Sequence, residues 1–196
     1  MIEWIQTWYA TRINKDIKCE NVSIHTLDNP GWILEYDLNH NEFLNLKVEP
    51  LKFELTEENW YSVLIDNGIW MGAGGAGNLI DILIKFKEFL KDEQKIFDKD
   101  LVEWLQKWYE NECNGDWEHS YGVSIKTLTD KFGWGIKIEL IETKYENKKF
   151  NSLDIYRSEC DWLKCRISDN VWYADCGVKN LVESLEVFRS FIYSNQ

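Results

Sequence analysis

The chain has 196 residues, 44% hydrophobic and 15% aromatic with 11 tryptophans, and carries a formal charge of −12 from 22 basic and 34 acidic residues. That much apolar material excludes a disordered chain, and the acidic balance argues against direct nucleic-acid binding, whose affinity comes from Lys and Arg displacing counterions. The five cysteines form no Cys-x-x-Cys pair, and His25, His40 and His119 are scattered, so no disulfide framework, metal site or cofactor is expected.

The first predicted element is a short opening helix over Ile2-Glu3-Trp4-Ile5-Gln6-Thr7-Trp8-Tyr9. Asp28-Asn29-Pro30-Gly31 reads as a tight turn into a half-buried strand, in which Trp32, Leu34, Tyr36 and Leu38 alternate with Ile33, Glu35 and Asp37. A further strand turns Tyr61, Val63 and Ile65 inward, leaves Trp60 on the outer side and ends at an Asp66-Asn67-Gly68 turn. Gly72-Ala73-Gly74-Gly75-Ala76-Gly77-Asn78 contains dinucleotide-fingerprint spacing, but the helix that follows ends the unit, with no parallel acidic strand after it. The run is read instead as a tight turn from last strand to last helix, its amides a candidate anion nest. Asn78 then stands as N-cap of a closing helix whose buried stripe is Leu79, Ile82, Leu83 and Phe86. The charged stretch Lys91 to Lys99 is the expected junction.

Beyond the junction the chain is written again. Val102-Glu103-Trp104-Leu105-Gln106-Lys107-Trp108-Tyr109 repeats the opening helix at an offset of 100, with Leu101, Trp104, Leu105 and Trp108 at helical spacing behind an Asp100-x-x-Glu103 capping pattern. Val123-Ser124-Ile125-Lys126-Thr127-Leu128 repeats Val22 to Leu27 at an offset of 101, and from Gly133-Trp134 onward the offset is 102. Strands are expected over Trp134 to Leu140, Leu153 to Tyr156, Leu163 to Ile167 and Val171 to Tyr173, with a turn at Ser168-Asp169-Asn170. Asn180 is the second N-cap, ahead of Leu181, Leu185 and Phe188. The fold class is therefore α+β: a tandem duplication of a helix, antiparallel β-meander, helix unit, spanning 1–95 and 96–196. Fused repeats of this kind are expected to pack as an internal pseudo-dimer about an approximate twofold axis, with opening or closing helices and aromatic side chains at the seam.

Two clusters stand apart from this scaffold. Arg157-Ser158-Glu159-Cys160-Asp161-Trp162 puts a cation, two carboxylates and an outward indole together; the indole needs either a covering helix or a partner. Gly115-Asp116-Trp117-Glu118-His119-Ser120-Tyr121-Gly122 joins carboxylates, an imidazole and aromatics in a loop, where function tends to sit. Plainer readings are an intrachain ion pair for Arg157 and a turn around a packed indole for Trp117. Trp32 is more naturally core than contact.

In order, these motifs resemble the immunity protein 53 family of bacterial polymorphic toxin systems. The two copies divide the pattern: the second keeps Gly115 to Gly122 and Arg157 to Trp162, the first keeps Thr26 to Trp32 and Gly72 to Leu79. The first has Asp16-Ile17-Lys18-Cys19-Glu20 where the Trp-Glu-His loop should be, and the second departs at Thr129 to Phe132 and at Cys176 to Lys179. The resemblance implies a protein that binds and neutralises a toxin encoded beside it. The acidic surface suits a basic toxin, and the expected contact residues are Trp117, Glu118, His119, Arg157, Glu159, Asp161 and Trp162 of the second copy and Asp28, Asn29 and Trp32 of the first. Two other readings stay open: a small hydrolase using Glu118 or His119 as acid-base groups, and an oligomeric scaffold. Without a basic start after Met1 or a long apolar run, a cytoplasmic location and no membrane contact are expected.

Overall fold

Among the described residues, indoles and aliphatic side chains at helical spacing build four helices, and alternating apolar residues build ten strands. The computed structural model describes residues 1–13, 21–39, 43, 48–91, 100–129 and 131–195. In the first repeat α1 (Ile2–Ile13) is followed by β1 (Val22–Leu27), β2 (Gly31–Asp37), β3 (Leu51–Glu54), β4 (Trp60–Asp66), β5 (Ile69–Gly75) and α2 (Leu79–Phe89). The second runs α3 (Asp100–Glu112), a 3₁₀ turn (Trp117–His119), β6 (Val123–Thr127), β7 (Trp134–Glu139), β8 (Leu153–Ser158), β9 (Asp161–Ser168), β10 (Val171–Cys176) and α4 (Leu181–Ser194). The α+β duplication is thus present, with one correction: the strands do not form a simple meander, because β2 pairs with β5 rather than β3, and β7 with β10 rather than β8. The expected junction over Lys91 to Lys99 falls, apart from Lys91, outside the described residues, as do Asp16 to Glu20 and His40.

All ten strands join one antiparallel sheet in the order β3-β4-β5-β2-β1-β6-β7-β10-β9-β8. The repeats meet strand to strand: β1 pairs with β6, with Ser23 opposite Lys126, Ile24 opposite Ile125 and His25 opposite Ser124. Ile24 and Ile125 are the same position of the repeat, so a local twofold axis runs between them. Beyond the ladder, Val123 N–H donates to Thr26 Oγ1 at 2.9 Å and Val22 N–H to Thr127 Oγ1 at 3.2 Å, the same bond on each side of the axis. Neither β1 nor β6 is foreseen as a strand by period alone, and the seam therefore adds a continuous sheet to the expected helix contacts.

The helices do cross over. Trp32, Leu34 and Tyr36 and their counterparts Trp134, Ile136 and Ile138 face the helical layer and are almost fully buried. Tyr9 packs on Trp134 of the other repeat with ring centroids 4.8 Å apart, and Tyr109 on Trp32 at 4.9 Å. The N-cap expectation is corrected here. Asn78 and Asn180 occupy the N-cap positions as expected, but their side chains make no cap bond to a backbone N–H of their helices and donate to the Asp81 and Glu183 side chains. Instead Ile80 N–H donates to Gln106 Oε1 at 3.4 Å and Val182 N–H to Gln6 Oε1 at 3.0 Å, so each opening helix caps the closing helix of the other repeat.

The glycine run is corrected as well. Gly72, Gly74 and Gly75 lie within β5 rather than in a turn, and close approach explains them. A Cβ on Gly72 would stand 2.7 Å from the Trp70 ring, and one on Gly75 would stand 2.1 Å from the Glu58 carbonyl oxygen.

Candidate functional site

Three places gather the polar residues that the scaffold does not consume. The first is a shallow depression of about 380 Å³ over the seam, on the sheet face away from the helices, lined by His25, Asp28, Glu118, His119, Lys137 and Glu139 among others. The fold brings Asp28 of the first repeat against Glu118 and His119 of the second, which sequence separation conceals. Glu118 is buried, and its carboxylate accepts from Asn114 N–H and Gly115 N–H, each at 2.9 Å. Burial opposes its ionisation, but the amides of Glu118, Asn114 and Gly115 and the nearby His119 outweigh that and hold its pKa below the usual carboxylate range. Trp117 is a core residue, its indole N–H donating to Ile141 O at 2.9 Å and its ring set edge-on to Trp108. His119 remains exposed at the rim.

The second place is built on Asn180, a buried residue. Its Oδ1 accepts from Trp162 N–H at 3.1 Å, and its Nδ2 donates to Asp161 at 2.9 Å and to Glu183 at 2.8 Å. Both carboxylates then converge on Arg157, which donates to Asp161 Oδ1 at 2.6 Å and through two nitrogens to Glu183. Asn180 and Arg157 hold the Asp161 carboxyl below its ordinary pKa, and Arg157, against partial desolvation and with Asn180, does so for Glu183. Among the described residues a lysine, rather than the helix that the sequence offered, lies over Trp162. The Lys131 ammonium sits 4.3 Å from its ring centre and the indole is buried beneath it. Glu159, between these groups in sequence, is exposed.

The third place is the counterpart of the second in the first repeat. Asn78 repeats the scaffold bond for bond: Oδ1 accepts from Trp60 N–H at 3.2 Å, and Nδ2 donates to Asn59 at 3.0 Å and Asp81 at 2.8 Å. Here, however, a cavity of about 800 Å³ remains open, lined by Asn29, Glu57, Glu58, Asn59, Trp60, Gly77, Asp81, Glu110 and neighbours. Among the described residues four carboxylates and no cation border it, which sets the surroundings of the glycine-rich turn against the candidate anion nest. Trp32 lies in the core and donates its indole N–H to Ala76 O at 2.9 Å beside this cavity.

The sequence profile of the family described as immunity protein 53 matches residues 2–91 and again residues 102–193. The chain belongs to the immunity protein 53 family, in two tandem copies. No curated protein and no solved structure matches it. Within this immunity-family chain the described residues hold no helix long and apolar enough to cross a membrane, and no cluster of three or more His, Cys, Asp or Glu side chains fit to hold a metal.

The sequence reading singles out Arg157, Asp161 and Trp162 but misses Asn180 and Glu183 as their organisers and Lys131 as the lid. The signal for the first two was present: an Asn followed three residues later by an acid opens both closing helices, as Asn78 with Asp81 and Asn180 with Glu183. Reading Asn as an N-cap absorbed that signal. Glu57, Glu58 and Glu110 carry no sequence signal that unites them, since they come from a strand connection and from the opening helix of the other repeat.

Proposed function

We propose that this protein binds and neutralises a cognate toxin by laying an acidic surface over the toxin's active site, in the bacterial cytoplasm. The observation that carries the reading is the family match over both repeats. The charge distribution supports it: the first repeat has nine basic against sixteen acidic residues over 1–95, and the second thirteen against eighteen over 96–196. A basic partner is attracted by that field and oriented by it. Contact falls to the exposed members of the three clusters, Asp28, Asn29, His119, Arg157 and Glu159, with Asp161 beside them, while Trp32, Trp117, Glu118 and Trp162 set the frame beneath. The hydrolase reading gains nothing from Glu118, whose carboxylate is engaged by two backbone amides and ionises more readily than usual, the opposite of a base poised near neutrality.

Co-expression with the toxin domain encoded beside it tests the proposal. Growth rescue, a stable complex on pull-down and an association rate that falls steeply with added salt are expected. A toxin neither bound nor neutralised overturns it.

A further inference from the structure

The two repeats differ at one place in a way that identifies a ligand chemistry. In the second repeat the Asn180 scaffold holds Asp161 and Glu183 around a guanidinium from the chain itself, Arg157, and Lys131 lies over Trp162. In the first repeat Asn78 holds Asn59 and Asp81 in the same arrangement. The position of Arg157 is taken there by Leu55, which is 69% exposed, and that of Lys131 by Asn29. Among the described residues, consequently, Asp81, Glu57, Glu58 and Glu110 have no ion pair and Trp60 has no cation over its ring. Further exchanges widen the gap. Lys179 and Ala10 of the second site correspond to Gly77 and Glu110 of the first, and a Cβ on Gly77 would stand only 2.7 Å from Glu110 Oε1. The glycine makes room for a carboxylate where the other repeat has a lysine.

We propose that the open acidic pocket of the first repeat is a guanidinium site that receives an arginine side chain of the bound toxin, filling the place that Arg157 fills from within in the second repeat. Resting on the toxin-binding reading above, the inference adds the chemistry of one anchor and its location. Two observations independent of the acidic cluster carry it: a cavity of about 800 Å³ with an indole at its wall, and equivalent residues already ligating a guanidinium within the same chain. An arginine fits better than a lysine because Asn59 and Asp81 are held at fixed positions that a planar fork can bridge, as Arg157 bridges Asp161 and Glu183. Glu110, whose pKa desolvation raises against the pull of Lys107, gains a compensating charge when the pocket fills.

The test plugs the pocket with the chain's own chemistry. Leu55→Arg combined with Asn59→Asp recreates the second repeat's arrangement in the first. On the full wild-type chain, N-acetyl-arginine amide is expected to shift the NMR signals of the Trp60 indole and the Asn78 side-chain amide, and the neutral isostere N-acetyl-citrulline amide is not. In the plugged variant, which should keep the wild-type melting temperature or exceed it, the arginine response disappears and affinity for the toxin domain falls by about tenfold or more, as for loss of an arginine anchor. Asp81→Asn, which leaves Leu55 in place, should weaken both responses in the same direction. Equal shifts from arginine and citrulline probes, no shift from either, or a plugged variant that binds toxin as well as wild type would each overturn the proposal. The two levels fail separately. Undiminished toxin binding by the plugged variant removes this anchor alone, whereas a wild-type chain that binds no toxin removes the neutralisation reading beneath it.

Discussion

Glu118 and Asn180 show how a single polar side chain can hold a segment that apolar contacts leave undetermined. Glu118 is the only acid in its loop that is buried, and it closes the turn after α3 by accepting from two consecutive amides. Glu118→Gln should therefore destabilise the fold by roughly 1–3 kcal/mol, the range for a hydrogen-bonded charge replaced in a buried setting. The sign of the pH dependence follows from its depressed pKa: the contribution is present above the unfolded carboxylate value and disappears as pH falls through the folded one. Melting curves of the two proteins should thus differ at neutral pH and converge in acid; a constant gap across that range would show that the carboxylate charge is not what holds the turn. Asn180 is a separate case, because neutral amide chemistry does the work. Asn180→Ala strands the buried Trp162 N–H and frees both partners of Arg157, and a loss of about 1–3 kcal/mol is expected in denaturant unfolding. Asn78→Ala should cost a similar amount, since its bonds are the same, and a loss confined to one repeat would contradict that equivalence.

At the scale of elements, the strands carrying strict alternation were legible in the sequence, and so were the hairpin turns. Asn67 and Gly68, like Asp169 and Asn170, adopt the left-handed backbone that those residue types favour, with φ between 48° and 78°. What was not legible has a common cause. β1 and β6 do alternate, Val22 and Ile24 against Ser23 and His25 and Val123 and Ile125 against Ser124 and Lys126, but each alternation offers only two apolar positions to read, and their pairing to each other joins segments about a hundred residues apart. The glycine run misled for the opposite reason: glycine usually marks a turn, but here it marks strand positions pressed by Trp70 and by the Glu58 carbonyl. The candidate clusters followed the same division, because Arg157 and Asp161 are neighbours in sequence whereas Asn180, Glu183 and Lys131 reach them only through the fold. The β1 to β6 junction makes a prediction of its own. Ile24 and Ile125 face each other at the local axis and both are fully buried. Ile24→Ala and Ile125→Ala should each cost about 2–5 kcal/mol, and the double variant should depart from their sum because the two side chains share one contact. Strict additivity in equilibrium unfolding would mean that the axis is not a point of contact.

Over the whole molecule, the repeats are unequal in surface chemistry but interdependent in structure. On the sheet face away from the helices the first repeat presents Ile33, Leu64, Met71 and Ala73, where the second presents Gly135, Arg166, Tyr173 and Asp175, so partner contact need not be symmetric. The interdependence is the stronger constraint. Separated from the second repeat, the first would expose the edge of β1, lose Tyr109 from Trp32 and lose Gln106 from the start of α2. The second would lose β1 from β6, Tyr9 from Trp134 and Gln6 from the start of α4. An unpaired strand edge is a template for association, and a buried aromatic stripped of its partner adds to the cost. Residues 1–95 and 96–196 expressed apart should therefore give no folded monomer. Because the axis relates equivalent residues, a lone repeat has a ready alternative in pairing with itself, and self-association is the expected product where material stays in solution. Expressed together, the two should recover a one-to-one complex whose mass by light scattering equals that of the intact chain and whose melting is cooperative. A folded monomer from either half, with a single sharp transition of its own, would show that the shared sheet and the exchanged helix caps are dispensable, and that the duplication joins two autonomous domains.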